Sequence, residues 1–159
     1  MVRRLAAGVH ATEGILVYPE GTRFTAAKRE RILSSLAQTG DAQRLAAARS
    51  LRCVLPPRRG GPLALLDELP AADVLFFAHC GFDGATSVRD ILNGRLVGGR
   101  IGIHFWRVPR SAIPPGRDER VKWLDEQWAG MDEWVCGQTL VPHKNPGLPE
   151  AARAARARS

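Results

Sequence analysis

Ile15-Leu16-Val17-Tyr18-Pro19-Glu20-Gly21-Thr22-Arg23-Phe24 is an apolar run that stops at a proline and passes into a polar loop. Taken from Gly14 to Tyr18, the run predicts a short buried strand. Pro19 ends it, because proline has no N–H for a sheet ladder. In layered α/β folds ligands gather at the mouths of strands, so the loop is a candidate binding site. Gly21 lets the backbone approach a ligand closely or take a positive φ. Thr22 brings a hydroxyl, and Arg23 a planar fork suited to bidentate phosphate contact. Glu20 can orient that arginine or accept a bond from a substrate hydroxyl. From the residues alone, a surface ion pair at a strand end accounts for Glu20 and Arg23 better than a binding role does.

Working outward, Val2 to His10 reads as the end of a helix. Thr25 can cap a helix running through Lys28 to about Leu36, and Asp41 a second stretch to about Ser50. Arg52-Cys53-Val54-Leu55 reads as a strand stopped by Pro56-Pro57, and Leu63 to Leu69 as a short helix with Pro62 in its first turn. Asp73 to His79 is apolar throughout its centre and predicts a central strand, followed by a turn at Gly81 to Gly84. Ser87 to Asn93 predicts one or two helical turns closed by Gly94. From Gly99 to Pro109, Ile101, Ile103 and Phe105 alternate with Gly102, His104 and Trp106, the period of a strand. Val121, Leu124, Trp128, Met131 and Val135 recur at helical steps and predict the longest helix, from Asp118 to Val135. The alternation of strands and helices predicts an α/β layer structure: a mostly buried sheet flanked by helices. The expected division is residues 1–137 as domain and 138–159 as a Pro/Gly- and Arg/Ala-rich tail, basic from Arg153 to Arg158 and with no packing signal of its own.

The 159 residues are 45% hydrophobic and 25% charged, within the globular range, which excludes wholesale disorder. Lys plus Arg is 23 against 16 Asp plus Glu, a formal net charge of +7. That balance favours anionic partners, namely nucleic acid, phosphate-bearing metabolites or an acidic membrane surface, without choosing between them. The 3 cysteines, Cys53, Cys80 and Cys136, are odd in number and far apart, and no C-x-x-C pair exists. This predicts neither a disulfide framework nor a structural zinc site, and suits a reducing compartment. His79-Cys80 with Asp83 lacks a further ligand at a recognised spacing, so no metal site is expected. No apolar run approaches the roughly 20 residues of a membrane span, and no signal peptide is read at the start. No dinucleotide fingerprint, P-loop or nucleophile elbow occurs.

Tyr18-Pro19-Glu20-Gly21-Thr22-Arg23 resembles the F/Y-P-E-G-T-R block of the PlsC-type glycerolipid acyltransferases, the family of 1-acyl-glycerol-3-phosphate and lysophospholipid acyltransferases. Val54-Leu55-Pro56-Pro57-Arg58-Arg59-Gly60-Gly61 is similar to that family's V-L-x-P-R-x-x-G block. Asp73 to Phe77, Ile91-Leu92-Asn93-Gly94, His104 to Pro114, Trp123-Leu124 and Met131-Asp132 resemble later stretches of the same branch, so the similarity runs roughly from Arg4 to Val135. The resemblance implies acyl transfer from acyl-CoA or acyl carrier protein to the hydroxyl of a lysophospholipid such as lysophosphatidate, in phospholipid biosynthesis. It implies no cofactor beyond the donor thioester. Arg23 would hold the acceptor phosphate, Glu20, Gly21 and Thr22 would shape the pocket, and Pro56 and Arg58 would line the donor or acceptor side. The expected place is peripheral, on the cytoplasmic face of a membrane, with no nucleic-acid partner.

One departure governs the functional expectation. The family's catalytic block is His-x-x-x-x-Asp, in which His is the general base and Asp orients it. Here the residues at that spacing from His10, His79, His104 and His143 are Ile15, Gly84, Pro109 and Leu148. No catalytic residue is therefore assigned to this chain. It resembles the C-terminal portion of such a domain, a fragment whose upstream segment is missing. An enzyme by resemblance, its activity on its own is not expected. The alternative class is a non-catalytic remnant that binds anionic lipid or phosphate, and the third is a basic nucleic-acid binder.

Overall fold

The computed structural model describes residues 2–10, 12–81 and 100–139. Its elements are α1 (Val2–Ala6), α2 (Ala26–Gln38), α3 (Ala42–Ser50), α4 (Gly60–Glu68), β1 (Val74–Cys80), β2 (Gly102–Val108), a 3-10 turn (Arg110–Ala112) and α5 (Arg117–Thr139). The expected turn beyond Gly81, the Ser87–Asn93 helix, the Ile91–Gly94 stretch and the basic tail lie outside the described residues.

The helices begin where their caps predict. Thr25 Oγ1 accepts from the Lys28 N–H at 3.2 Å and opens α2, while Asp41 Oδ1 accepts from the Arg44 N–H at 2.9 Å and opens α3. Each satisfies one of the N–H groups a helix start leaves without an internal partner. Pro62 sits in the first turn of α4, where its missing N–H costs nothing. Asp118 and Glu119 place negative charge at the positive end of α5. On α5 the periodic positions Leu124, Trp128 and Met131 are buried, with Trp123 beside them. They form the core with Leu51, Val54, Leu66, Phe76, Ala78 and Ile113. Asp67 ties α4 to α5 by accepting from Arg117 and Arg120.

β1 and β2 pair antiparallel in a two-stranded sheet, with Val74 opposite Val108 and Cys80 opposite Gly102. Gly81 leaves β1 with φ +88°, and a Cβ there would lie 2.1 Å from the Arg100 carbonyl oxygen, so only glycine fits. The chain is thus a mixed α/β structure. The sheet is not mostly buried: Phe76 and Ala78 turn inward, whereas Leu75, Phe77, Ile103 and Phe105 are exposed.

Two expected strands do not form. Gly14–Tyr18 is irregular, with Leu16 73% and Tyr18 72% exposed, because no described strand lies beside it to supply a ladder. Arg52–Leu55 is irregular for a different reason. Its N–H groups are taken by carboxylates: those of Arg52, Cys53 and Val54 donate to Asp132 Oδ1, and that of Leu55 to Glu20 Oε2. No donor in that segment is left for a sheet.

Candidate functional site

The polar loop after Tyr18 is a turn. The Gly21 N–H donates to the Tyr18 carbonyl at 3.0 Å, and Gly21 takes φ +68°, in the left-handed region that favours glycine. Two bonds dock this turn against the segment Leu51–Arg59. The Arg58 N–H donates to the Pro19 carbonyl at 2.9 Å, and the Leu55 N–H to Glu20 Oε2 at 3.1 Å across 35 positions of sequence. A Cβ on Gly21 would meet Arg58 Cζ at 3.1 Å, so the Arg58 guanidinium lies directly over the glycine. On the other side of the turn, Lys28 Nζ donates to Thr22 Oγ1 at 2.6 Å and to the Arg23 carbonyl at 3.1 Å. The surface around Gly21 therefore carries the guanidinium of Arg58 and the ammonium of Lys28, the latter held by the Thr22 hydroxyl and the Arg23 carbonyl.

Glu20 is the buckle between the two loops. Burial pushes its carboxyl above the usual carboxylate range. The Leu55 N–H pulls it back, and the nearby Asp132 charge pushes it further up. Its partner is the Leu55 backbone N–H, so it fixes the loop.

The Leu51–Arg59 loop is in turn fixed by one stripe of α5. Asp125, Trp128, Asp132 and Cys136 are spaced by three or four and lie on one helix face. Asp125 takes Arg59 as a bidentate pair at 2.9 and 2.5 Å. Trp128 Nε1 donates to the Leu55 carbonyl at 2.9 Å, and Leu55 is fully buried. Asp132 Oδ1 accepts the three N–H groups at 2.9, 2.6 and 3.0 Å. Cys136 is bonded to Cys53, contrary to the expectation of no disulfide. Odd number and wide spacing in sequence say nothing about distance once a loop lies along a helix. Cys53, Asp132 and Cys136 are the one metal-like grouping among the described residues, and their sulfurs are joined to each other.

Of the residues singled out in the sequence, Glu20, Gly21 and Arg58 meet, with Thr22 adjoining through Lys28 and Arg23 contributing its carbonyl to the same lysine. Pro56 instead lines a small cavity of about 40 Å³ with Leu51, Pro57, Arg59 and Trp128. Arg59 is committed to Asp125. Lys28, Trp128 and Asp132 were not read as site residues. The signal for Asp132 and Trp128 was the run of polar, aromatic and sulfur positions continuing the helical stripe of α5.

Among the described residues no helix is long and apolar enough to cross a membrane. No family model, curated protein or solved structure matches the chain.

Proposed function

We propose that this chain carries the acceptor-binding part of a glycerolipid acyltransferase, with the phosphate of a lysophospholipid such as lysophosphatidate as its ligand. The observation that carries the reading is the docking of the Pro19–Gly21 turn on Leu55 and Arg58, which sets the Arg58 guanidinium over Gly21. Those are the two blocks whose sequences resemble the family, and they are far apart along the chain. Glycine at the turn lets the Arg58 guanidinium lie against the backbone, where a Cβ would crowd it. Arg58 and Arg23 supply planar forks for phosphate, and Lys28, held on the Thr22 hydroxyl and the Arg23 carbonyl, a point charge.

In the full reaction a general base takes the proton of the acceptor hydroxyl as its oxygen attacks the acyl thioester carbon, and the thiol of acyl-CoA or acyl carrier protein leaves. No His-x-x-x-x-Asp is present in this sequence, and none of its residues is assigned the role of base. Here the chain's task is to hold the phosphate and so fix the hydroxyl's position. The net charge of +7 supports peripheral attachment at an acidic membrane surface, on the cytoplasmic face.

The test is binding of the chain to vesicles containing lysophosphatidate against vesicles of neutral lipid. Binding to the first alone is expected, weakened about tenfold by Arg58→Ala, equivalent to about 1.4 kcal/mol. Equal binding to both vesicles overturns the reading. Adding acyl-CoA separates it from the second reading, a non-catalytic anionic-lipid binder favoured by the missing base. If a segment carrying His-x-x-x-x-Asp restores acyl transfer, the chain is part of an enzyme. If it only binds, the chain is a lipid-binding module.

A further inference from the structure

The bond between Cys53 and Cys136 joins the site loop to α5 across 83 positions of sequence, with the two Cα atoms 5.5 Å apart. Cys136 is buried, whereas Cys53 is half-buried, so the loop side is the more open of the two. The bond is one of several anchors on the loop. The Asp132 carboxylate, Trp128 and the Arg59–Asp125 pair hold the same segment. The reduced form is also provided for. Asp132 Oδ2 lies 3.8 Å from Cys136 Sγ, within reach of a thiol S–H once the sulfur is released. Cys53 is two residues from Leu55, which holds Glu20, and five from Arg58, which covers Gly21.

We infer that Cys53 and Cys136 form a reversible dithiol/disulfide lock on the Leu51–Arg59 loop, exchanged by low-molecular-weight thiols and disulfides. Its consequence for ligand affinity rests on the acceptor-binding reading above. In oxidation the Cys53 thiol gives up its proton and its thiolate attacks a small disulfide, forming a mixed disulfide and expelling a small thiolate that takes up that proton. Cys136 then loses its proton and attacks Cys53 Sγ, and the second small thiolate is expelled and takes up that proton in turn. Two protein thiols are oxidised to one S–S bond, and one small disulfide is reduced to two thiols. The oxidised loop is pinned at Cys53. The reduced loop keeps its hydrogen bonds but opens more often.

The experiment equilibrates the chain, with Cys80→Ser to remove the remaining thiol, in glutathione buffers from fully reduced to fully oxidised. Alkylation and intact mass count the thiols. Hydrogen exchange reads the amides of residues 51–59, and lysophosphatidate vesicles read binding. The expected result is a single two-electron titration, with the loop at least tenfold more protected in the oxidised form and the oxidised form binding more tightly. Cys53→Ser fixes the reduced behaviour in every buffer. A chain that stays all dithiol or all disulfide across the range overturns the inference, as does loop protection that ignores the bond. A lock that works on exchange while neither form binds lysophosphatidate overturns the acceptor reading and leaves the lock standing.

Discussion

The two faces of the sheet are made by the same two strands and live in different solvents. On the inner face Phe76 is 6% and Ala78 3% exposed, and Phe76 stacks on Trp106 at 5.1 Å and meets Trp123 of α5 at 5.7 Å. Trp106 completes that face by donating Nε1 to Gln127 Oε1 at 2.8 Å. On the outer face Leu75 is 64%, Phe77 48%, Ile103 55% and Phe105 64% exposed. Both faces are largely apolar, although the outer one also carries Arg107 and His79. What separates them is cover: α5 lies on one, and no described element buries the other. A continuous apolar run states that a strand could be buried on both sides. Whether it is depends on what is available to pack against it.

The largest effect breaks the inner face. Phe76→Ala removes a ring packed between Trp106 and Trp123, and should cost about 3–5 kcal/mol in chemical denaturation. Its neighbour Phe77→Ala should change stability by only about 0.5 kcal/mol, as for an exposed position. If the two substitutions cost the same, the outer face is covered in solution, and the contrast between the faces disappears.

The next effect moves from the sheet to the loop that α5 holds on its other anchors. Asp132→Ala leaves three N–H groups without their acceptor and should cost about 3 kcal/mol. Asp132→Asn keeps an oxygen acceptor and should cost clearly less. Equal losses would mean that the charge, not the accepting oxygen, holds the loop. Smaller again, Trp128→Phe keeps a ring in the core and removes the bond to the Leu55 carbonyl, at about 1 kcal/mol. Faster exchange at the amides of residues 52–55 is expected with Asp132→Ala, and a lesser change with Trp128→Phe.

These anchors explain what could be read from the sequence. Thr25 and Asp41 act within three residues of themselves, so local chemistry was enough to place α2 and α3. The stripe Leu124, Trp128, Met131 placed α5, because its partner is simply the core. Val54-Leu55 was misread as a strand because its donors pair with Asp132 and Glu20, at separations of 78 and 35, which no local pattern encodes. Ile15 to Tyr18 was misread because an apolar run predicts burial, while a strand needs a neighbour. Around the candidate site, the two motifs that the sequence singles out lie together in the fold. Their contacts were not legible: Glu20 is held by Leu55, and Arg58 rather than Arg23 lies on Gly21. The Cys53–Cys136 bond was hidden for the same reason as the Asp132 bonds, since it depends on how the loop runs along α5.

The smallest effect sets two carboxylates against each other. Asp73, at the start of the sheet, is held below its ordinary 3.8 by the Arg110 N–H and by Arg107, so its contribution is present above that value and is lost as pH falls. Glu20, half-buried between the loops, is displaced the other way, above its ordinary 4.5, chiefly by burial. The folded chain then binds more protons at Glu20 than the unfolded chain does just above pH 4.5. The slope of stability with pH is negative there: Glu20 favours folding below 4.5, and that contribution is lost as pH rises through its folded pKa. Glu20→Gln keeps an acceptor for Leu55 and cannot ionise. The variant should match the wild type in urea denaturation at pH 4 and gain on it as pH rises, reaching a constant lead by neutral pH. A lead that stays flat from pH 4 upward would mean Glu20 ionises as freely in the folded chain as in the unfolded one, and that the two loops do not close over it.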